Sequence, residues 1–291
     1  MTQATDYSSV TLTAAESRFC DLITPCEVRS LHMPLPENLQ SLHSQEEQLR
    51  AKALELVTED KKLRLHLAVI EQAMNLGDLL RQYPTDDEDM KVIQILGMRM
   101  FNAFGASLKL ALSGYVQNSV PLMRDILETV FLVDLFRGDS DLIKKWRFAD
   151  SKTLRSDFSP VAVQKALDDR YGHTTRRREE TYKLFSELAA HPTMKSSWMM
   201  RPQKDGAAVI GPFIEKTSLE AVLSEMGRLA VQAGQNLVAF FPSDWQQALG
   251  PRLGFAETVR EWLAVFYPPS PPSLRSARSN IVRCAPRRRW R

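Results

Sequence analysis

Apolar positions recur every three to four residues along most of this chain, the spacing of helices that bury one face. The densest stretch is GYVQNSVPLMRDILETVFLVDLF, Gly114–Phe136. As a helix it places Leu122, Met123, Ile126, Leu127, Val130, Phe131 and Val133 within about half the circumference. Gln117, Arg124 and Glu128 form a narrow polar line beside that arc. Arg124 and Glu128 are four apart, so they can meet as a weak ion pair on a solvated face. Asp134 projects into the apolar arc, where a carboxylate needs a partner or the water of an exposed helix end.

The flanking segments follow the same period. From Gln45, QEEQLRAKALELV sets Leu49, Ala53, Leu56 and Val57 on one face, with a break expected near Thr58–Asp60. Leu63, Leu67, Ile70, Met74 and Leu80 then share a stripe, with His66 beside it as a core-edge residue. PTDDED is a turn whose acids suit the start of a helix. That helix faces inward with Ile93, Leu96, Met100, Phe104, Leu108 and Ala111, and Gly97 and Gly105 on the same face invite a close neighbour. Gly114 ends it, and the central helix returns antiparallel, with Asn118 or Ser119 as cap and Pro121 in its first turn.

Downstream, a short helix contains Trp146, and another runs from Ser159-Pro160 to about Arg170. ETYKLFSELAA should bury Thr181, Leu184, Phe185 and Leu188, and Pro192 stops it with His191 at its end. The pair Asp205-Gly206 between short apolar runs predicts a β-hairpin near Trp198–Phe213. Ser218 is the expected cap of a helix reaching Phe240, with Leu219, Val222, Met226, Leu229 and Leu237 inward. Ser243 or Asp244 opens a last helical region that ends near Tyr267. The expected fold is all-α, a helical bundle with one small β-hairpin insertion. Residues 1–44 read as a loose arm, 45–267 as the bundle, and 268–291 as a disordered tail rich in proline and arginine.

Composition narrows the class. The chain is 44% hydrophobic and 25% charged, as globular domains are. No apolar run reaches about 18 residues without a charge, so no membrane association is expected. The opening MTQATDYSSV lacks the basic and apolar regions of a signal peptide, which points to the cytoplasm. Cys20, Cys26 and Cys284 suggest no disulfide framework, and His32 and His43 complete no zinc pattern with them. No metal and no cofactor is expected. The net charge of +3 conceals seven arginines after residue 273, so the remainder is −4. The body has no overall attraction for nucleic acid, although the tail could bind it.

Catalytic signatures are missing. There is no Walker loop, dinucleotide-binding glycine pattern, HExxH, GxSxG or catalytic Cys–His set. Arg176, Arg177 and Arg178 could touch phosphate, but Glu179 and Glu180 follow at once, which reads as a solvated helix start.

Two segments, SGYVQNSVPLMRDILETVFL and YKLFSELAAHPT, resemble in order and spacing an uncharacterised bacterial helical family with GYxxxAxxLxRxxLE and YxxLSExxHP motifs. The matching positions are Gly114, Tyr115, Arg124, Glu128, Tyr182, Ser186, Glu187, His191 and Pro192. The Trp146 segment and Ile210–Phe213 also fit, so the likeness covers about Gln94–Pro242. That family is similar in pattern to HEPN domains, helical bundles of toxins and defence systems. The resemblance implies a homodimer, an RNA or protein partner, and a polar cluster of Arg124, Glu128, Tyr182, Ser186 and His191. Many HEPN nucleases carry an Arg separated by four to six residues from the catalytic His. Here Leu184, Phe185 and Ser186 occupy those positions. The expected function is therefore a ligand- or partner-binding module. The alternative is a metal-independent RNase, with His191 as general acid or base, Arg124 on phosphate and Tyr182 orienting them.

Overall fold

The computed structural model describes residues 36–173, 177–190, 194, 196–203 and 206–268, except for the side chains of residues 189 and 190. Most of the N-terminal arm, His191, Pro192, Asp205 and nearly all of the arginine-rich tail lie outside these residues. The chain divides into Met1–Ser41 and Leu42–Arg291, and of the first unit only the opening of one helix is described.

Among the described residues there are ten α-helices and no strand. They are α1 (Glu37–Glu59), α2 (Lys61–Arg81), α3 (Glu88–Leu112), α4 (Val116–Gly138), α5 (Asp141–Arg147), α6 (Ser151–Asp157), α7 (Pro160–Tyr171), α8 (Arg177–Phe185), α9 (Lys216–Val238) and α10 (Leu249–Phe266). A π-helical turn, Ser186–Ala190, continues α8, and short 3-10 segments span Ser196–Met200 and Gln246–Ala248. None of these helices is long and apolar enough to cross a membrane.

Local chemistry sets the helix starts. The Asp60 carboxylate accepts from the N–H groups of Lys62 and Leu63 and separates α1 from α2. Asp87 and Ser159 cap α3 and α7 in the same manner. α1 begins eight residues before the expected Gln45, because its first two turns are exposed on nearly all sides and carry no period. The cap of α9 is Glu215, which accepts from Thr217 and Ser218, and not Ser218 itself. α4 opens directly after Tyr115, without a side-chain cap, so Pro121 lies inside the helix.

The order of paired residues gives helix directions. Gly77 with Gly97, and Leu80 with Gln94, run α2 antiparallel to α3. Ser107 with Ser119, and Arg99 with Asp125, run α3 antiparallel to α4. His66 beside Gly227, and Gly77 near Leu237, make α9 parallel to α2. α10 returns antiparallel to both α2 and α9, with Trp262 at His66 and Gly227 and Phe255 at Gly234. α4 packs on α3, α9, α7 and α8 and is buried on most of its circumference, including Met123, Ile126, Leu127, Val130 and Val133. The expected core face of α9 is buried, and those of α2 and α3 are buried except for Leu67, Met74 and Leu108, which are partly buried against the core.

The expected β-hairpin is not found among the described residues. Ser196–Met200 winds into a 3-10 helix, and among the described residues one backbone bond crosses back to it from the second run, the Val209 N–H to the Met200 carbonyl at 3.0 Å. Two local causes act. Pro202 removes a ladder donor. The Phe213 N–H donates to the Gly114 carbonyl at the α3–α4 corner (3.2 Å), so it serves that corner instead of a strand partner. Leu184 is a further correction. It is exposed, and Phe185 alone of the four expected residues is fully buried on that face.

Candidate functional site

Three of the five expected cluster residues are joined directly. Arg124 Nε donates to Glu128 Oε1 at 2.9 Å, one turn apart on α4. An Arg124 Nη2 donates to the Tyr182 hydroxyl on α8, and the guanidinium carbon sits 4.7 Å from the Tyr182 ring centre. The Ser186 hydroxyl, in the π-helical turn, donates to the Tyr182 carbonyl at 2.8 Å. It therefore supports the backbone beneath the tyrosine. His191 lies outside the described residues. Arg124 is three-quarters buried, and its remaining N–H groups could hold an anion.

The resemblance motif also contains residues that build the scaffold. Gly114 has φ +91°, and a Cβ there would lie 2.8 Å from the Phe213 nitrogen. Only glycine fits a corner with that conformation and that neighbour. The Tyr115 hydroxyl donates to Glu46 Oε1 on α1 at 2.8 Å. Burial, with that bond and charge, pushes the Tyr115 pKa up to about 12, while His43 and Tyr115 hydrogen bonds lower that of Glu46.

A second polar network is signalled in sequence by Asp134 and by Arg176, Arg177 and Arg178, whose pattern reads as a solvated helix start. Asp134 is 9% exposed at the C-terminal end of α4. It accepts from Arg137 Nη2 (3.0 Å), Arg170 Nη2 (3.1 Å) and the Tyr171 hydroxyl (2.9 Å). Arg170 also donates to the Asp134 and Leu135 carbonyls at the end of α4. The partner of Asp134 is thus α7 rather than water. Arg178 is likewise no solvated helix start. It is largely buried, pairs with Asp168 of α7, and lies 5.3 Å from the Tyr171 ring centre.

Between α4, α7, α8 and α9 these side chains border a cleft made of two adjoining hollows of about 300 and 340 Å³. The hollows share Phe131, His173, Arg178 and Gln232. One adds Arg177 and Thr181, and the other adds Arg137, Gln235 and Asn236. Asn236 is anchored by its Nδ2 donating to the Val130 carbonyl at 3.2 Å. The lining sets cationic and amide donors over an apolar floor, with Arg137 and Arg178 paired to the lining carboxylates Asp134 and Asp168 and Arg177 and His173 exposed beside them. Sequence reading missed it because its members come from segments as far apart as Val130 and Asn236.

His66 belongs to neither site. It is 3% exposed, stacks on Phe266, and accepts from Trp262 Nε1 at 2.9 Å. Burial, helped by the Arg228 charge and opposed by Asp60, lowers its pKa to about 4. Among the described residues no group of three or more His, Cys, Asp or Glu could hold a metal ion. No protein-family model matches this chain, and no curated protein and no solved structure matches it.

Proposed function

We propose that this chain is a binding module, and that its ligand occupies the cleft between α4, α7, α8 and α9. One observation carries the reading. Donors from four elements, among them Arg137, His173, Arg177, Arg178 and Gln232, converge on one concave surface. Such a lining suits a ligand rich in anionic acceptor groups. Tripolyphosphate is a simple probe of that chemistry. It should raise the melting temperature by mass action, and the rise should vanish in the double variant His173→Gln/Arg177→Gln. Both residues are exposed, so the fold should tolerate the changes. Absence of any shift would sink the reading.

The alternative, a HEPN-like RNase, is supported by the bond from Arg124 to Tyr182 on the helix that leads towards His191. It requires cleavage of single-stranded RNA in EDTA, lost in Arg124→Ala and Tyr182→Phe. Intact RNA after prolonged incubation would remove it. A cytoplasmic bacterial setting and a homodimer belong to the same proposal. The close neighbour that Gly97 invites is Gly77 of the same protomer, so this glycine gives the dimer no support. Exposed Ile95, Phe148 and Val161 support it instead.

A further inference from the structure

A separate pocket of about 610 Å³ lies between the Ser196–Met200 turn and the start of α9. It is lined by Trp198, Arg201, Pro202, Gln203, Glu215 and Ser218, with Thr217. None of these belongs to the α4–α9 cleft. The volume is that of a small-molecule site.

Two features of the lining are unusual. Trp198 is 66% exposed, although burial of an indole is strongly favourable. Arg201 Nε is buried and has no hydrogen-bond partner among the described residues. Arg201 also makes no ion pair with a described carboxylate, although Glu215 borders the same pocket. Glu215 is occupied otherwise. Its Oε1 accepts from the Thr217 N–H, and its Oε2 accepts from the Ser218 N–H and hydroxyl. It therefore repels an anion from the helix end and leaves Arg201 as the cationic side of the pocket. Arg201 is part-exposed, so its guanidinium faces the pocket with no acceptor already engaged among the described residues, and an incoming anion would supply one.

We propose that this pocket binds an aromatic ring carrying an anionic group, the ring stacked on Trp198 and the anion held by Arg201. A planar fork of donors suits carboxylate or phosphate, and an indole face suits any flat ring. Nucleoside 5′-monophosphates and aryl carboxylates are the two carriers of that chemistry.

The test is calorimetric titration of the full chain with AMP and with indole-3-acetate, alongside adenosine and inorganic phosphate. At least one of the two aromatic anions should bind, and about tenfold more tightly than adenosine or phosphate. The tighter of the two assigns the carrier. Arg201→Ala should weaken that ligand about tenfold or more and leave adenosine unchanged, whereas Trp198→Ala should weaken both. Neither side chain supports the core, so unchanged melting curves should accompany both variants. The double variant His173→Gln/Arg177→Gln should bind normally, which separates this site from the cleft. The proposal is overturned if neither aromatic anion binds at millimolar concentration, or if either Trp198→Ala or Arg201→Ala leaves the affinity for the tighter one unchanged.

Discussion

Two carboxylates on one helix show how little spacing says about an ion pair. Glu128 meets Arg124 at ordinary helical spacing and remains about a third exposed, so the pair is worth a few tenths of a kcal/mol. Asp134 holds two arginines and a tyrosine in a nearly closed site. Replacing it with Ala should cost about 1–3 kcal/mol, and Glu128→Ala under about 0.5. Urea midpoints of the two variants would check the order. His66 gives a pH dependence of definite sign. Its ordinary pKa of 6.5 when unfolded falls to about 4 in the folded protein, so the native state favours the neutral ring. Its contribution is complete above pH 6.5, declines as the pH falls towards 4, and changes no further below that. The loss should be about 1–3 kcal/mol, and His66→Gln should flatten that part of a urea-midpoint profile. In sequence, His66 was placed at the edge of the core. Its hydrogen-bond partner is 196 positions away, beyond the reach of any local pattern.

At the scale of elements, whatever depended on neighbours along the chain was legible. The break at Asp60, the acidic turn before α3, the start at Ser159 and most of the inward faces of α2, α3 and α9 are of this kind. The hairpin was not, because Asp205-Gly206 suits a loop as well as a β-turn, and the Phe213 donor is taken by Gly114. That corner makes a prediction. Gly114→Ala should destabilise by about 1–3 kcal/mol through its positive φ and the collision with Phe213. Gly250→Ala in α10 meets open space and should be neutral or stabilising by up to about 1 kcal/mol. Thermal melts of the two single variants would separate the effects. The Tyr182 end of the candidate cluster was legible through the resemblance alone, since no periodicity links it to Arg124. The α4–α9 cleft had no such guide.

For the whole molecule, the open question of assembly has a direct measurement. If the exposed Ile95, Phe148 and Val161 face a second copy, light scattering at micromolar concentration should give a dimer mass, and Ile95→Glu should convert it to a monomer. A monomer mass for the unaltered chain would count against the dimer. The pairing of α2 with α9 and α10 also bears on synthesis. His66 leaves the ribosome 196 residues before Trp262. At about 5–20 residues per second, translation leaves a gap of roughly 10–40 s. During that interval the side of α2 that will meet α10 lacks its partner, and for most of it α9 is missing as well. Exposure to nascent-chain aggregation is therefore governed by elongation speed. Slow codons placed between α4 and α9 should raise the chain's dependence on chaperones without altering one residue of the finished protein.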